Sequence, residues 1–404
     1  MSLNNMPSSE RVHISFFGRR NAGKSSLVNA VTGQNLAIVS EVQGTTTDPV
    51  YKAMELLPMG PVVIIDTPGI DDEGELGALR VQKTYQALHK TDIAILVTDL
   101  PQQLAKEDTA LLAEIKSRNI PYIIVHNKAD LQSLTLPEGQ DEIWVSAATG
   151  HNINALKEKI AGLIPGATPQ RRLVADLLQP GDFVVLVIPI DSAAPKGRLI
   201  LPQQQTLRDI LEAGAIGLVT RETELTQTLV GLAAPPRLVI TDSQAFETVS
   251  RDTPAEVMLT SFSILFARYK GNLPLVVKGA AAIDTIQDGD AVLICEGCTH
   301  HRQCDDIGTV KLPRWIERYT GKKPSFHFTS GTEFPQDLSP YKMVIHCGGC
   351  MLNEKEMQYR QQHTHAANIP ITNYGIAIAY MQGILRRSVA PFAEIAALLP
   401  QTNS

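Results

Sequence analysis

The chain has 404 residues, of which 44% are hydrophobic and 19% charged, with a formal net charge of −6. That length suits two or three domains, each able to bury its own core, and the composition is that of a globular protein and not a disordered one. The acidic balance argues against a general binder of nucleic acid or anionic membrane, because phosphate contacts need a basic surface. The amino-terminal MSLNNMPSSERVHISFFG has no apolar stretch of signal-peptide length, and no later apolar run is long enough to span a bilayer. A cytoplasmic protein without membrane contact is therefore expected. All five cysteines lie between Cys295 and Cys350. In a reducing compartment such clustering favours metal binding or redox chemistry over disulfides.

In chain order, the apolar segment 12–18 reads as a strand ending at GRRNAGKSS. Gly18, Gly23, Lys24 and Ser25 meet the Gly-x4-Gly-Lys-Ser/Thr phosphate-loop pattern, with Ser26 continuing the nucleotide contacts. Loop amides and the following helix start are expected around the β-phosphate, Lys24 at the β- and γ-phosphates, and Ser25 on Mg2+. The loop Gly44-Thr45-Thr46-Thr47-Asp48 supplies Thr46 as a second magnesium ligand, ordered by GTP. The strand PVVIIDTPG then delivers Asp66 and Gly69, Asp66 holding magnesium through water and the Gly69 amide sensing the γ-phosphate. Lys24, Thr46, Asp66 and Gly69 are thus the residues expected at the reacting phosphate. IPYIIVHNKAD ends in Asn127, Lys128 and Asp130, whose carboxylate can accept both N1–H and N2–H of guanine, a donor pair that adenine lacks. WVSAATG places Ser146 and Ala147 where a backbone amide meets guanine O6. Any one box can be a plain turn or strand end, but five in this order on alternating strands and helices indicate binding of GTP and GDP.

These boxes resemble the TrmE-Era-Engrailed-like branch of Ras-like P-loop GTPases over roughly residues 10–165. Ile70 stands where Ras-like switches carry a water-orienting glutamine, so water orientation and charge neutralisation must come from elsewhere. Asn21 matches the asparagine that helps hold a monovalent cation in potassium-stimulated members, which implies a K+ site; a loop-stabilising side chain is the alternative.

After the linker LIPGATPQRR the strand–helix alternation restarts. DFVVLVIPI, AIGLVTR and RLVITD read as strands of a parallel sheet, and TLRDILEAG, ETELTQTLVGL and SQAFETVSRD as helices. The segment from Pro189 to Pro202 reads as packing or assembly; Lys196 and Arg198 are solvated charges or a phosphate contact. From about Ser261 the alternation resumes: AVLICEGC ends a strand at Cys295 and Cys298, SFHFTSG is a second strand, and YKMVIHCGGC drives a third into His346, Cys347 and Cys350. Ligands at the carboxyl ends of parallel strands occupy the usual binding crevice of open α/β sheets. Gly348 and Gly349 allow a tight turn, and their amides can donate to sulfur. Two Cys-x2-Cys pairs also spell a structural zinc ribbon. Their separation of about 48 residues and the surplus of His300, His301 and His346 suit a 4Fe-4S cluster with three thiolates and a weaker fourth ligand better.

The signature Cys298-x-His300, a gap, then His346-Cys347-x-x-Cys350 closely resembles the FeFe-hydrogenase maturation GTPases, the HydF family, and the resemblance runs over essentially the whole chain. It implies an α/β protein of three domains: a GTP-binding domain at 1–168, a dimerisation domain at 169–260 containing PKGRLILPQ, and a 4Fe-4S cluster-binding domain at 261–404. Carried over, Cys298, Cys347 and Cys350 hold the cluster, His300 or His346 supplies or flanks the fourth position, and Asp305 can reach it. Cys295 and Cys304 fall outside the signature as packing residues, Cys295 being the other candidate for the fourth position. The implied role is a homodimeric scaffold and carrier. It receives a transient di-iron subcluster precursor made with two radical-SAM maturases and delivers it to the FeFe-hydrogenase apoprotein, with GTP as a switch. The rival from another class is a ribosome- or tRNA-associated GTPase with a structural zinc domain.

Overall fold

The apolar run ahead of the phosphate loop forms β1 (Val12–Phe17), buried on both faces because it lies at the centre of a sheet. The computed structural model describes residues 6–34, 48–71, 74–99, 104–131, 139–164, 172–190, 199–297, 306–331 and 333–399. The chain divides into two compact units, Met1–Thr168 and Pro169–Ser404.

In the first unit, β2 (Val50–Leu56), β3 (Gly60–Asp66), β4 (Ile93–Thr98), β5 (Tyr122–His126) and β6 (Glu142–Trp144) join β1 in the order β2-β3-β1-β4-β5-β6. Only β2 runs antiparallel, on β3. Side-chain alternation sends Ile14 and Phe16 to one face, against Leu27 and Val31 of the helix Lys24–Thr32 and Leu156 of the helix Ile153–Leu163. Phe17, Val63 and Ile65 face the other way, onto Leu88 of the helix Gly74–Leu88 and Leu111 of the helix Lys106–Ser117. Helices on both faces leave the strand ends as the place where polar side chains can emerge.

The second unit carries two four-stranded sheets. In the first, β7 (Phe183–Val187), β8 (Ile216–Thr220), β9 (Leu238–Thr241) and β10 (Met258–Ser261) run parallel in the order β10-β9-β7-β8. In the second, β11 (Ala291–Glu296), β12 (Ser325–Ser330), β13 (Met343–His346) and β14 (Ile371–Asn373) run parallel in the order β12-β11-β13-β14. Neither β10 nor β14 is among the strands expected from sequence; at four and three residues they are too short to show a period. Lys196 and Arg198 lie outside the described residues.

The two sheets share a core. Ser261, the last residue of β10, caps the helix Phe262–Lys270 by accepting from the Ile264 amide at 3.3 Å. That helix packs Phe262, Leu265 and Phe266 among β7 and β9 residues together with Ile376 and Ala379 of the helix Tyr374–Met381. Gly375 permits the approach, since a Cβ there would stand 2.5 Å from that of Ser263. Gly279 is tighter: a Cβ would lie 1.9 Å from the Ile371 carbonyl oxygen on β14.

Gly279→Ala should therefore lower the stability of the second unit by about 1–3 kcal/mol or more, through forced separation of helix and strand. Gly162→Ala, in a helix with nothing within 4 Å of the new methyl, should raise stability of the first unit by up to about 1 kcal/mol. Urea melts of the two variants check both signs.

Candidate nucleotide site and cysteine centre

The phosphate loop leaves β1 through Gly18, with φ +140°, and enters its helix through Gly23, with φ +88°. Both positions exclude a side chain on two grounds, because an added Cβ would stand 2.1 Å from the Val97 carbonyl oxygen or 2.2 Å from Asn127 Nδ2. Asn21 adopts φ 59°, a conformation asparagine tolerates better than most residues. Lys24 is buried and folds back on the loop, its Nζ donating to Gly18 O at 2.9 Å and Arg19 O at 2.7 Å.

Ser25 Oγ donates to Asp66 Oδ2 at 2.7 Å, which joins the first helix turn to the end of β3. Burial pushes the Asp66 carboxyl above the usual carboxylate range, opposed by the Ser25 hydrogen bond and the Lys24 charge. Its other oxygen, Oδ1, is buried without a hydrogen-bond partner. A hydroxyl beside a buried, half-satisfied carboxylate is a hard oxygen set that fits hydrated Mg2+. Thr46 lies outside the described residues.

Asn127 is the bridge of the site. Its Nδ2 donates to Ala22 O at 3.0 Å, and its Oδ1 accepts from the Ala147 amide at 3.1 Å, so one buried side chain fixes the phosphate loop against the SAA loop. Ser146 Oγ donates to the exposed Asp130 carboxylate and orients it. Sequence reasoning missed a second bridge: Asp99 accepts from Lys128 Nζ at 2.9 Å and from Arg19 Nη2 at 3.3 Å, while Arg19 Nε pairs with buried Asp108 at 3.4 Å. Only its place one residue beyond β4 signals Asp99, and nothing local signals Asp108. Ile70, where a glutamine would stand in a Ras-like switch, is buried in the core on the far face of the sheet, its amide 3.4 Å from Gly18 O. Gly69 lies beneath Arg20, whose amide donates to Asp71 Oδ1 at 2.6 Å.

In the second unit β11 and β13 run side by side with Cys295 in register with His346. The Cys347 amide donates to Cys295 O at 2.8 Å and carries the pairing one residue beyond the strand. Two amides then converge on the Cys347 sulfur, Gly297 N at 3.0 Å and Gly349 N at 3.4 Å. Gly349 makes the turn at φ 66°. Burial pushes the Cys347 thiol up to about 11, against the pull of those two amides, and raises Cys350 against the nearby charge of Lys270. A thiolate is therefore costly here until a cation arrives, while its hydrogen-bond donors are already in place; this donor set fits a thiolate-ligated metal group. Cys298, which follows Gly297 in sequence, lies outside the described residues, as do His300, Cys304 and Asp305. Among the described residues no group of three or more His, Cys, Asp or Glu gathers to hold a metal ion.

Two residues weighed for the fourth cluster position are committed elsewhere. His346 is 1% exposed. Its Nδ1 donates to Cys347 O at 2.9 Å and its Nε2 accepts from Arg360 Nη1 at 3.0 Å, so neither nitrogen is open to a metal in this arrangement. Burial and the Arg360 charge hold the ring neutral, its pKa lowered to about 3. Arg360 is itself fully buried and also donates to Glu356 Oε1 at 2.9 Å and Gly331 O at 2.8 Å. Cys295 packs with Leu293, Val344 and Ile371, and burial pushes its thiol up to about 12.

Residues 13–128 match the 50S ribosome-binding GTPase family, which makes the first unit a GTPase domain. The tRNA modification GTPase MnmE of Thiobacillus denitrificans is 32% identical over 152 residues, 37% of this chain and 33% of its own length. GTPase Der of Wolinella succinogenes is 36% identical over 165 residues, 37% of this chain and 35% of its own. The chain thus spans about a third of the length of these relatives. A crystal structure of Aquifex aeolicus Era bound to GDP and aluminium fluoride aligns with 59% of this chain and 97% of its own at 21% identity, with a TM-score of 0.35. The second unit is the more specific part. Residues 173–271 match the hydrogen maturase F dimerization domain and residues 274–391 its tetramerization domain. The chain belongs to the hydrogen maturase F family of GTPases. Among the described residues no helix is long and apolar enough to cross a membrane.

Arg360→Met leaves Glu356 buried without its partner and should cost about 3–5 kcal/mol. Adding Glu356→Gln should recover part of that loss, as equilibrium urea unfolding of the single and double variants will show.

Proposed function

We propose that the protein is a GTP hydrolase that serves FeFe-hydrogenase maturation by carrying an iron–sulfur centre, with nucleotide state as the switch. The observation that carries the cluster half is the pair of amides aimed at Cys347 sulfur, one from Gly297, the residue immediately before Cys298. In this reading Cys298, Cys347 and Cys350 hold a 4Fe-4S cluster, which supplies an iron corner where a small anionic or metal-bearing group can dock. With His346 and Cys295 engaged in the fold, the fourth position falls to His300, Asp305 or an exogenous ligand. The cargo is a di-iron subcluster precursor received from two radical-SAM maturases and handed to apo-hydrogenase, and the working form is a homodimer in the cytoplasm.

On the nucleotide side, Lys24 is held where a γ-phosphate would draw it off the Gly18 and Arg19 carbonyls. Ser25 and Asp66, joined by Thr46, hold Mg2+. Asp130 reads guanine with its orientation set by Ser146. Buried Ile70 cannot orient water, and K+ at Asn21 supplies the missing positive charge.

Anaerobically purified protein should contain iron and sulfide; zinc without sulfide would instead favour an RNA-associated GTPase with a structural zinc domain. Lys24→Ala should abolish GTP hydrolysis while keeping the cluster spectrum, and Cys347→Ser should lose the cluster while keeping hydrolysis within about a few-fold. Hydrolysis should slow when sodium replaces potassium; equal rates would remove the cation from the account.

A further inference from the structure

Lys270 is the last residue of the helix Phe262–Lys270, and at 2% exposure it is among the largest fully enclosed side chains of the protein. Its Nζ donates to Cys350 O at 3.2 Å and to Leu352 O at 3.0 Å, and lies 5.8 Å from the centre of the Phe266 ring. The helix begins at the carboxyl end of β10, in the first sheet of the second unit, so an ammonium delivered from one sheet clamps the cysteine loop of the other.

Enclosing a lysine head is expensive, and a methionine would fill the same room without that cost. Helix ends favour lysine, but that preference is met by an exposed side chain as well as by a buried one. What a methionine cannot do is donate to two carbonyls at once and place a positive charge near the Cys350 thiol. The carbonyls it engages are also informative, because one belongs to Cys350 itself and the other lies two residues on. Holding both fixes the turn that presents the Cys350 sulfur.

We propose that Lys270 is a positioning residue for the cysteine centre: it pins the loop Cys350–Leu352 and supplies fixed positive charge that offsets the negative charge gathered at a thiolate-ligated cluster. This rests on the iron–sulfur reading above. Reduction adds an electron to the cluster, so a nearby fixed cation favours the reduced state and raises the midpoint potential. Partners that orient metal ligands from behind typically change metal affinity by about 10–100-fold when removed.

The test uses full-length, anaerobically purified protein as wild type, Lys270→Met and Lys270→Arg, with fold checked by circular dichroism. A ferrous chelator should strip iron from Lys270→Met at least about tenfold faster than from wild type. Its midpoint potential should move to a more negative value, and Lys270→Arg should recover the potential. Lys270→Met with wild-type extraction rate and potential overturns the proposal, as does a potential shift that Lys270→Arg fails to reverse. If Lys270→Met does not fold, Lys270→Gln decides, since it can still reach a carbonyl but carries no charge; a wild-type potential there overturns the electrostatic role. Wild-type protein lacking iron and sulfide would instead overturn the iron–sulfur reading itself, an outcome visible before any variant is compared.

Discussion

Parallel strands buried on both faces leave the chain one kind of place for polar chemistry, the loops beyond their carboxyl ends, and both sites of this protein obey that constraint. β1, β3 and β5 run out into Gly18, Asp66 and Asn127; β11 and β13 run out into Gly297 and Cys347. Because each strand is hydrogen-bonded on both sides, those loops start from points that cannot shift independently. Cys347 illustrates the effect: its amide continues the β11–β13 pairing, so its sulfur is placed by the sheet before any ligand binds.

Buried charge is the second organising element. Besides Arg11 and Glu296, the described residues enclose the charges of Asp66, Asp108, Lys24, Lys270, Glu356 and Arg360. Each of these six stands at a loop that bears candidate ligand-binding residues or one step behind it. Arg360 shows how such a charge is made tolerable, with a carboxylate, a carbonyl and an imidazole nitrogen arranged around one guanidinium and the Phe334 ring 5.2 Å away. The same arrangement holds the His346 ring between Arg360 and the Cys347 carbonyl, beside the cysteine loop.

The glycines, Lys24, Ser25, Asp66, Asn127 and the cysteine pair were legible from local spacing because their chemistry demands a fixed residue at a fixed offset from a strand end. The strands β10 and β14 were not, since three or four residues carry no periodicity and their assignment depends on neighbours far along the chain. The hydrogen bonds of His346 were hidden for a related reason. Its partner Arg360 lies on another element, in the helix Glu354–Ala366, and no spacing rule announces that a histidine adjoining a cysteine has both nitrogens already taken. Asp99 and Asp108 escaped notice likewise, as their significance lies in Arg19 and Lys128, which reach them only after folding.

Ile70 has a consequence for timing. A hydrocarbon packed into the sheet's far core can neither align nor polarise a water molecule, and the nearest polar neighbour on its own backbone is spent on the Gly18 carbonyl. The duration of the triphosphate-bound state is therefore not written into that position. In the function proposed above it is set by the ion held beside the nucleotide, which would make the domain a clock wound by its surroundings.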